Sequence, residues 1–279
     1  MLYDQGTASC KEDFFVDIAG KVLGVLDTGS GVSIQSEEPQ VFHGMTGGQM
    51  VGGIINQKFG AKLLMRKGAI EPIEELIWVN REIKRIFLYE GLNLNEPENN
   101  PFASYALAFF NGNTIEIIQG GDCQFVWQNR DGSLGWTENQ TLIYDAENLA
   151  TIATLMNKHS ADRAAMWQEF GPILEKRRRE YFNSPKGGFS LLNGQPSFNK
   201  NWQRMSLNTD NVEIMVGYTD GFVDQSATAR MQALSPDILE ICQEFGLQEW
   251  LNLTRKIAKR KENEAHISLP EATAIMIEF

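Results

Sequence analysis

Three cysteines in 279 residues, Cys10, Cys123 and Cys242, are odd in number and widely separated. They build no disulfide framework, and with no C-x-x-C spacing they offer no zinc site. Histidine is equally scarce, and His43, His159 and His266 read as ordinary surface or packing residues. No apolar run approaches the length that spans a membrane, and the opening Met1-Leu2-Tyr3-Asp4-Gln5-Gly6 lacks the basic region and apolar core of a leader. Basic residues are outnumbered, 25 against 36 acidic, for a formal net charge of −11. That balance argues against a dedicated nucleic-acid or anionic-membrane binder. The expectation is a soluble, cytoplasmic protein whose partner is neither nucleic acid nor membrane; the oligomeric state is not legible.

What the chain does have is a set of carboxylates at strand ends. The stretch Val22-Leu23-Gly24-Val25-Leu26-Asp27-Thr28-Gly29-Ser30-Gly31 is an apolar strand that delivers Asp27 into a glycine-rich turn. Residues 14 to 18 and 21 to 27 read as an antiparallel hairpin joined at Ala19-Gly20, so Glu12 and Asp13, which begin the first strand, meet Asp27 at the end of the second. Val212 to Tyr218 is another apolar strand, and Thr219-Asp220-Gly221 repeats the device at its tip. Glu271 precedes a closing strand, Ala272 to Phe279.

Between these lie the scaffold elements. The spacing of Met50, Ile54, Ile55, Phe59, Leu63 and Leu64 predicts one helix from Gly47 to about Lys67, and a second runs from Glu71 to Glu90 with Gly91 as its stop. Asn80 falls on the apolar stripe of that second helix and reads as a buried hydrogen-bonding residue. Ala103 to Phe110, Thr114 to Gln119 and Gln124 to Gln128 read as strands, the first two joined by Asn111-Gly112-Asn113, with Gly120-Gly121-Asp122-Cys123 before the third. Residues 146 to 182 read as helical and amphipathic. The cluster Lys176-Arg177-Arg178-Arg179 near their end either solvates a helix C-terminus or forms a phosphate-attracting rim. Residues 183 to 201 read as a loop, Ser235-Pro236-Asp237 as a helix start, and about Leu247 to Asn263 as a last helix. No repeat or linker divides the chain, so residues 1 to 279 are expected to form one domain, long enough to bury roughly 75% of its unfolded surface.

An antiparallel sheet can bring Glu12, Asp13, Asp27, Asp220 and Glu271 to one edge. Oxygen ligands without His or Cys favour Mg²⁺, Mn²⁺ or Ca²⁺, and two such ions about 3.5–4 Å apart would activate a bridging water and neutralise a phosphoryl group. Solvated turn carboxylates are the alternative. Two protease patterns fit poorly. An aspartic protease needs a second Asp-Thr/Ser-Gly, whereas Thr219-Asp220-Gly221 lacks the intervening residue, and a subtilisin-like triad finds no convincing serine after His43.

Taken in order, Glu12-Asp13, Val25-Leu26-Asp27 and its glycines, Gly47-Gly48-Gln49-Met50-Val51-Gly52-Gly53, Gly121-Asp122-Cys123, Tyr218-Thr219-Asp220-Gly221-Phe222-Val223-Asp224 and Glu271-Ala272-Thr273 resemble the metal-dependent protein phosphatases of type 2C, over nearly the full chain. The resemblance implies an α+β fold, a four-layer α/β/β/α sandwich with a central antiparallel β-sandwich flanked by helices on both faces. It implies a phosphoserine or phosphothreonine phosphatase using Mg²⁺ or Mn²⁺, with two ions, acting on a phosphorylated protein. Asp27 would bridge the ions, the Thr28 carbonyl would join one shell, and Asp220 would bind a metal. Glu12 and Asp13 would hold the other ion directly or through water, Glu271 would reach a ligand position, and Asp122 and Asp224 would serve an accessory ion. Four positions depart from the family pattern: Ala8 replaces a phosphate-gripping arginine, Thr28 a glycine, Gly29 the histidine of some members, and Pro270 a ligand aspartate. These departures keep a second class open, a phosphoprotein- or partner-binding module on the same fold, and a third, a hydrolase of other phosphoesters.

Overall fold

The structure is a computed structural model that describes residues 1–6, 11–31, 39–66, 68–223, 231–265 and 270–279. Cys10, Ala8, Asp224 and His266 lie outside the described residues.

The strands are β1 (Leu2–Asp4), β2 (Asp13–Ile18), β3 (Val22–Gly29), β4 (Val41–Phe42), β5 (Met45–Thr46), β6 (Phe102–Asn111), β7 (Thr114–Gly120), β8 (Gln124–Asn129), β9 (Leu134–Trp136), β10 (Gln203–Asn208), β11 (Val212–Tyr218) and β12 (Ala272–Glu278). The α-helices are α1 (Gly47–Gly53), α2 (Gly60–Met65), α3 (Pro72–Tyr89), α4 (Leu142–Lys158), α5 (Arg163–Tyr181), α6 (Met231–Phe245) and α7 (Leu247–Ala265). Two five-stranded sheets, β10-β7-β6-β3-β2 and β1-β12-β11-β8-β9, form the centre, and every pairing in them is antiparallel. One core lies between the sheets, a second packs α1 to α3 on the outer face of the first sheet, and a third packs α6 and α7 on the outer face of the other. The expected four-layer α/β/β/α sandwich is the architecture observed.

Period-two alternation decides which residues face inward. On β3, Val22 and Leu26 join the helix-side core, whereas Leu23 and Val25 enter the core between the sheets. Asp27 is next on that inner face. On β12, Ile277 and Ile275 point inward with Thr273 and Glu271 in line behind them, and on β11 Met215 leads to Thr219. The apolar core between the sheets therefore gives way to polar and acidic side chains at one end.

Elsewhere the structure refines the sequence expectations. The single helix expected over 47–67 is α1 and α2 joined by a π-helical turn, Ile54–Phe59, which accommodates the five-residue step from Ile54 to Phe59 in the apolar stripe. The stretch 146–182 is two helices, broken where Ser160 and Ala161 take positive φ with no glycine or proline to announce it. Ser235 and Pro236 fall inside α6, which starts at Met231, so they are not a helix start. Strands β1 and β10 escape the pattern because one is three residues long and the other has only partly buried alternate positions. Asn80 behaves as expected, accepting from the Gly194 N–H at 2.8 Å and donating to the Gln195 carbonyl at 2.8 Å. No helix among the described residues is long and apolar enough to cross a membrane.

Phe87 on α3 is wholly buried against the first sheet. Phe87→Ala is expected to lower unfolding stability by about 3–5 kcal/mol, read from the midpoint of a urea titration.

Candidate metal centre

The hairpin β2–β3 sets Asp13 directly opposite Asp27 in register. β3 also pairs with β6, which places Ser104 across from Asp27 on the other side. Asp122 arrives from the link between β7 and β8. The turn before it requires Gly121, with φ +78°, since a Cβ there would stand 2.2 Å from the Ser104 hydroxyl. Gln140 grips this turn, its Oε1 accepting from the Gly121 N–H at 3.0 Å and its own N–H donating to the Gly121 carbonyl at 3.0 Å. Asp220 follows β11, and at Gly221 the backbone runs so close to β12 that a Cβ would meet the Glu271 carbonyl oxygen at 1.6 Å. Asp27 on β3, Asp122 in the β7–β8 link and Asp220 just after β11 thus present carboxylate oxygens that all lie within 4.8 Å of one another.

Glu12, Asp13, Thr28 and Glu271, the other expected residues among those described, make hydrogen bonds of their own around this group. Glu12 Oε1 accepts hydrogen bonds from the Ser30 and Thr46 hydroxyls, and Thr46 is the N-cap of α1. That carboxylate therefore anchors the start of a helix. Asp13, buried, accepts from the Thr219 hydroxyl at 2.5 Å. Glu271 Oε2 accepts from the backbone N–H of Glu12 at 2.8 Å and of Asp13 at 2.6 Å. Thr28 needs no positive φ: it continues β3, pairs with Ala103, and donates its hydroxyl to the Glu12 carbonyl at 2.5 Å. A β-branched residue is comfortable in that extended backbone, so the distortion that a glycine-to-threonine change would suggest does not arise. Asp122, which the motif comparison assigns only to an accessory ion, stands in the main group.

One carboxylate was not foreseen. Asp145, in the first turn of α4, accepts from the Thr141 hydroxyl, and its pKa is pushed up to about 7 by burial and by the negative charge of Asp122. Nothing in the local sequence marks it, because its neighbourhood to Asp122 is created by the packing of α4.

The electrostatics are those of like charges short of counterions. Burial, then the charges of Asp13, Asp122, Asp220 and Glu12, push Asp27 well above the ordinary carboxylate range. Asp13 is raised by burial and by Asp220, Glu271 and Asp122, with the Thr219 hydrogen bond opposing. Asp122 is raised by burial, against hydrogen bonds from Ser104 and nearby backbone. Two buried oxygens, Asp122 Oδ1 and Glu271 Oε1, have no hydrogen-bond partner among the described residues. Hard anionic donors in excess, with orphaned oxygens among them, fit a divalent cation of the magnesium or manganese type.

Arg177, Arg178 and Arg179 of α5 have partners away from the acidic group. Arg177 donates to Asn148 Oδ1 and Thr151 Oγ1, both at 2.9 Å, tying α5 to α4. Arg178 lies over the rings of Phe102 and Phe182 at 5.6 and 5.5 Å, and Arg179 Nε donates to Glu98 at 2.8 Å. Arg177 and Arg178 are internal fastenings, whereas Lys176 and Arg179 are largely exposed near the end of α5, as the helix-end reading expects. His43 and His159 pair with Glu90 and Glu169 at 3.1 and 2.9 Å, in keeping with surface roles.

No protein-family profile and no curated protein matches the sequence. Solved structures do match. The Mycobacterium tuberculosis serine/threonine phosphatase PstP/Ppp aligns over 100% of this chain and 96% of its own, with a TM-score of 0.57 at 14% identity. The Staphylococcus aureus phosphatase Stp1 aligns over 100% and 93%, with a TM-score of 0.54 at 11% identity. PppA of Pseudomonas aeruginosa aligns over 100% and 96%, with a TM-score of 0.55 at 13% identity. The chain has the fold of these bacterial phosphatases. A structure of the PstP catalytic domain, similar at a TM-score of 0.54 and 14% identity, contains 2 manganese ions.

Carboxylates whose pKa is higher folded than unfolded bind protons on folding, so stability without a cation falls as pH rises through the raised range. Thermal unfolding in EDTA is therefore expected at a lower midpoint at pH 8 than near pH 5.5, the loss passing through the region around Asp145 at about 7. Asp27→Asn removes one of the repelling charges and is expected to raise the midpoint at pH 8 in EDTA, and to abolish the stabilisation expected of the parent protein on adding Mn²⁺. A lower midpoint for the variant in EDTA would contradict the account.

Proposed function

We propose that this protein is a divalent-cation-dependent phosphatase acting on phosphoserine or phosphothreonine in proteins. The observation that carries the proposal is the convergence of Asp27, Asp122 and Asp220 at the end of a phosphatase-type sandwich. Asp27 and Asp220 are proposed as the central ligands, with Asp122 beside them. Glu271 contributes through Oε1, the oxygen that β2 leaves unused. Glu12 and Asp13 are proposed to hold the other ion directly or through water and the Thr28 carbonyl to join one shell, with register, helix capping and strand geometry fixing all three. Mg²⁺ or Mn²⁺, proposed as two ions, would supply charge neutralisation at phosphorus and an acidified water.

The chain's own residues do the rest. The carboxylates fix the position of charge against which a phosphate is held, and the backbone turns at Gly121 and Gly221 keep them from relaxing apart. A cation for the substrate phosphate is needed where the family pattern has an arginine. Lys11 is the residue we propose: it is exposed, its Nζ rests over the Tyr3 ring at 4.5 Å, and its charge is felt by Glu271. Free, buried Cys123 and Cys242 suit the reducing cytoplasm proposed as its setting.

A second reading, a phosphoprotein-binding module without turnover, draws on one observation. The three arginines of α5 that would otherwise replace the missing phosphate grip are all occupied.

Hydrolysis of para-nitrophenyl phosphate and of a phosphothreonine peptide, with Mn²⁺, Mg²⁺ or EDTA, decides between them. The expected outcome is cation-dependent turnover on both substrates that Asp220→Asn abolishes. Lys11→Ala is expected to lower kcat/KM by ~10–100-fold, the equivalent of about 1.5–3 kcal/mol for a charge-assisted hydrogen bond to phosphate. Absence of turnover with intact Mn²⁺ binding would establish the module instead, and turnover confined to small phosphates would point to another phosphoester.

A further inference from the structure

The carboxylates of the centre are drawn from both sheets, so their spacing depends on how the two sheets are held at this end. Asp13 and Asp27 belong to β2 and β3 of one sheet, and Asp220 follows β11 of the other. Hydrogen bonds cross the gap here. Thr219 Oγ1 donates to Asp13 Oδ2 at 2.5 Å, and Glu271 Oε2 accepts the N–H groups of Glu12 and Asp13. We propose that Thr219 is a positioning residue that sets the separation between the carboxylates of the two sheets, an inference that rests on the cation-binding reading above.

The hydroxyl of Thr219 both donates and accepts. It has one proton, given to Asp13, and one of its lone pairs accepts the Thr273 N–H at 2.9 Å. The Thr219 N–H in turn donates to the Thr273 carbonyl at 3.0 Å, which extends the β11–β12 pairing by one residue. Thr219, Thr273 and Asp13 are all buried, so solvent has no ready access to replace any of these bonds. The side chain is thereby fixed from its own sheet and fastened to the opposite one.

The connections outward are equally short. Thr219 is the residue before Asp220, and Asp13 is the direct cross-strand partner of Asp27. One hydroxyl thus joins the residue adjacent to one proposed ligand with the residue opposite another. Removing it leaves Asp13 without the side-chain donor that holds it and leaves the Glu271 bonds as the remaining hydrogen-bonded link between the sheets described at the centre. Groups that orient ligands without touching the ion typically control affinity by about 10–100-fold. Serine keeps the hydroxyl, whereas valine keeps the shape and loses the donor.

The test is calorimetric titration of the full chain with Mn²⁺. Thr219→Val is expected to bind about 10–100-fold more weakly than the parent, and Thr219→Ser within the same order of magnitude. Ile83→Val, a buried substitution on α3 away from the centre, serves as the control: its unfolding midpoint falls but its Mn²⁺ affinity does not. Should Thr219→Val fail to fold, Thr219→Ala carries the same expectation. Parent-like affinity in the folded hydroxyl-free variant, or an equal loss in Ile83→Val, overturns the positioning role alone. Failure of the parent protein to bind Mn²⁺ overturns the cation-binding reading and this inference with it.

Discussion

Repulsion among carboxylates gathered at one end of the β-sandwich is the constraint on which the rest of this structure turns. Asp27, Asp122 and Asp220 bring carboxylate oxygens within 4.8 Å of each other, and burial raises the pKa of Asp27 and Asp122. A chain folds into such an arrangement only if the surrounding packing outweighs the cost, or if a cation offsets it. The packing is visible, and so are oxygens a cation would satisfy. Three apolar cores hold the four layers together, and two orphaned oxygens face the lack of a donor.

The protein distributes its acidic residues unequally around this centre. Glu12 is neutralised by hydroxyl donors and the start of a helix, Glu271 by two backbone N–H groups through one oxygen, and Asp13 by a threonine. Their hydrogen bonds define the frame around the three aspartates, and Asp122 Oδ1 and Glu271 Oε1 are the oxygens of the centre without a hydrogen-bond partner among the described residues. Departures from the type 2C pattern look different in this light. Thr28 is accommodated by an ordinary extended strand and adds a hydroxyl bond of its own, so the local cost of losing glycine is small.

The fold was readable in the sequence wherever a single periodicity governed a whole element. Strands β3, β6, β7, β8 and β11 and helix α3 carry unbroken apolar patterns, and their bounds shift by only a residue or two. The π-helical turn at Ile54–Phe59, the break at Ser160 and Ala161 and the early start of α6 escaped, because each depends on tertiary packing rather than on a residue that punctuates the chain. The arginines of α5 are the instructive case at the level of function. A run of four cations in sequence suggests a shared role, yet a helix points consecutive residues in different directions, so Arg177, Arg178 and Arg179 reach α4, an aromatic pair and Glu98 respectively.

The sequence by itself determined that Asp27, Asp122 and Asp220 stand at or near strand ends, since that follows from local chemistry: apolar alternation builds each strand, and Gly121 and Gly221 permit the turns beside Asp122 and Asp220. Which carboxylates come together was decided only by the tertiary structure. Register placed Asp13 opposite Asp27, sandwich closure brought Asp220 across from the other sheet, and the packing of α4 brought Asp145 near Asp122. Distance between charges is a property of three-dimensional packing, and the separation along the chain does not encode it.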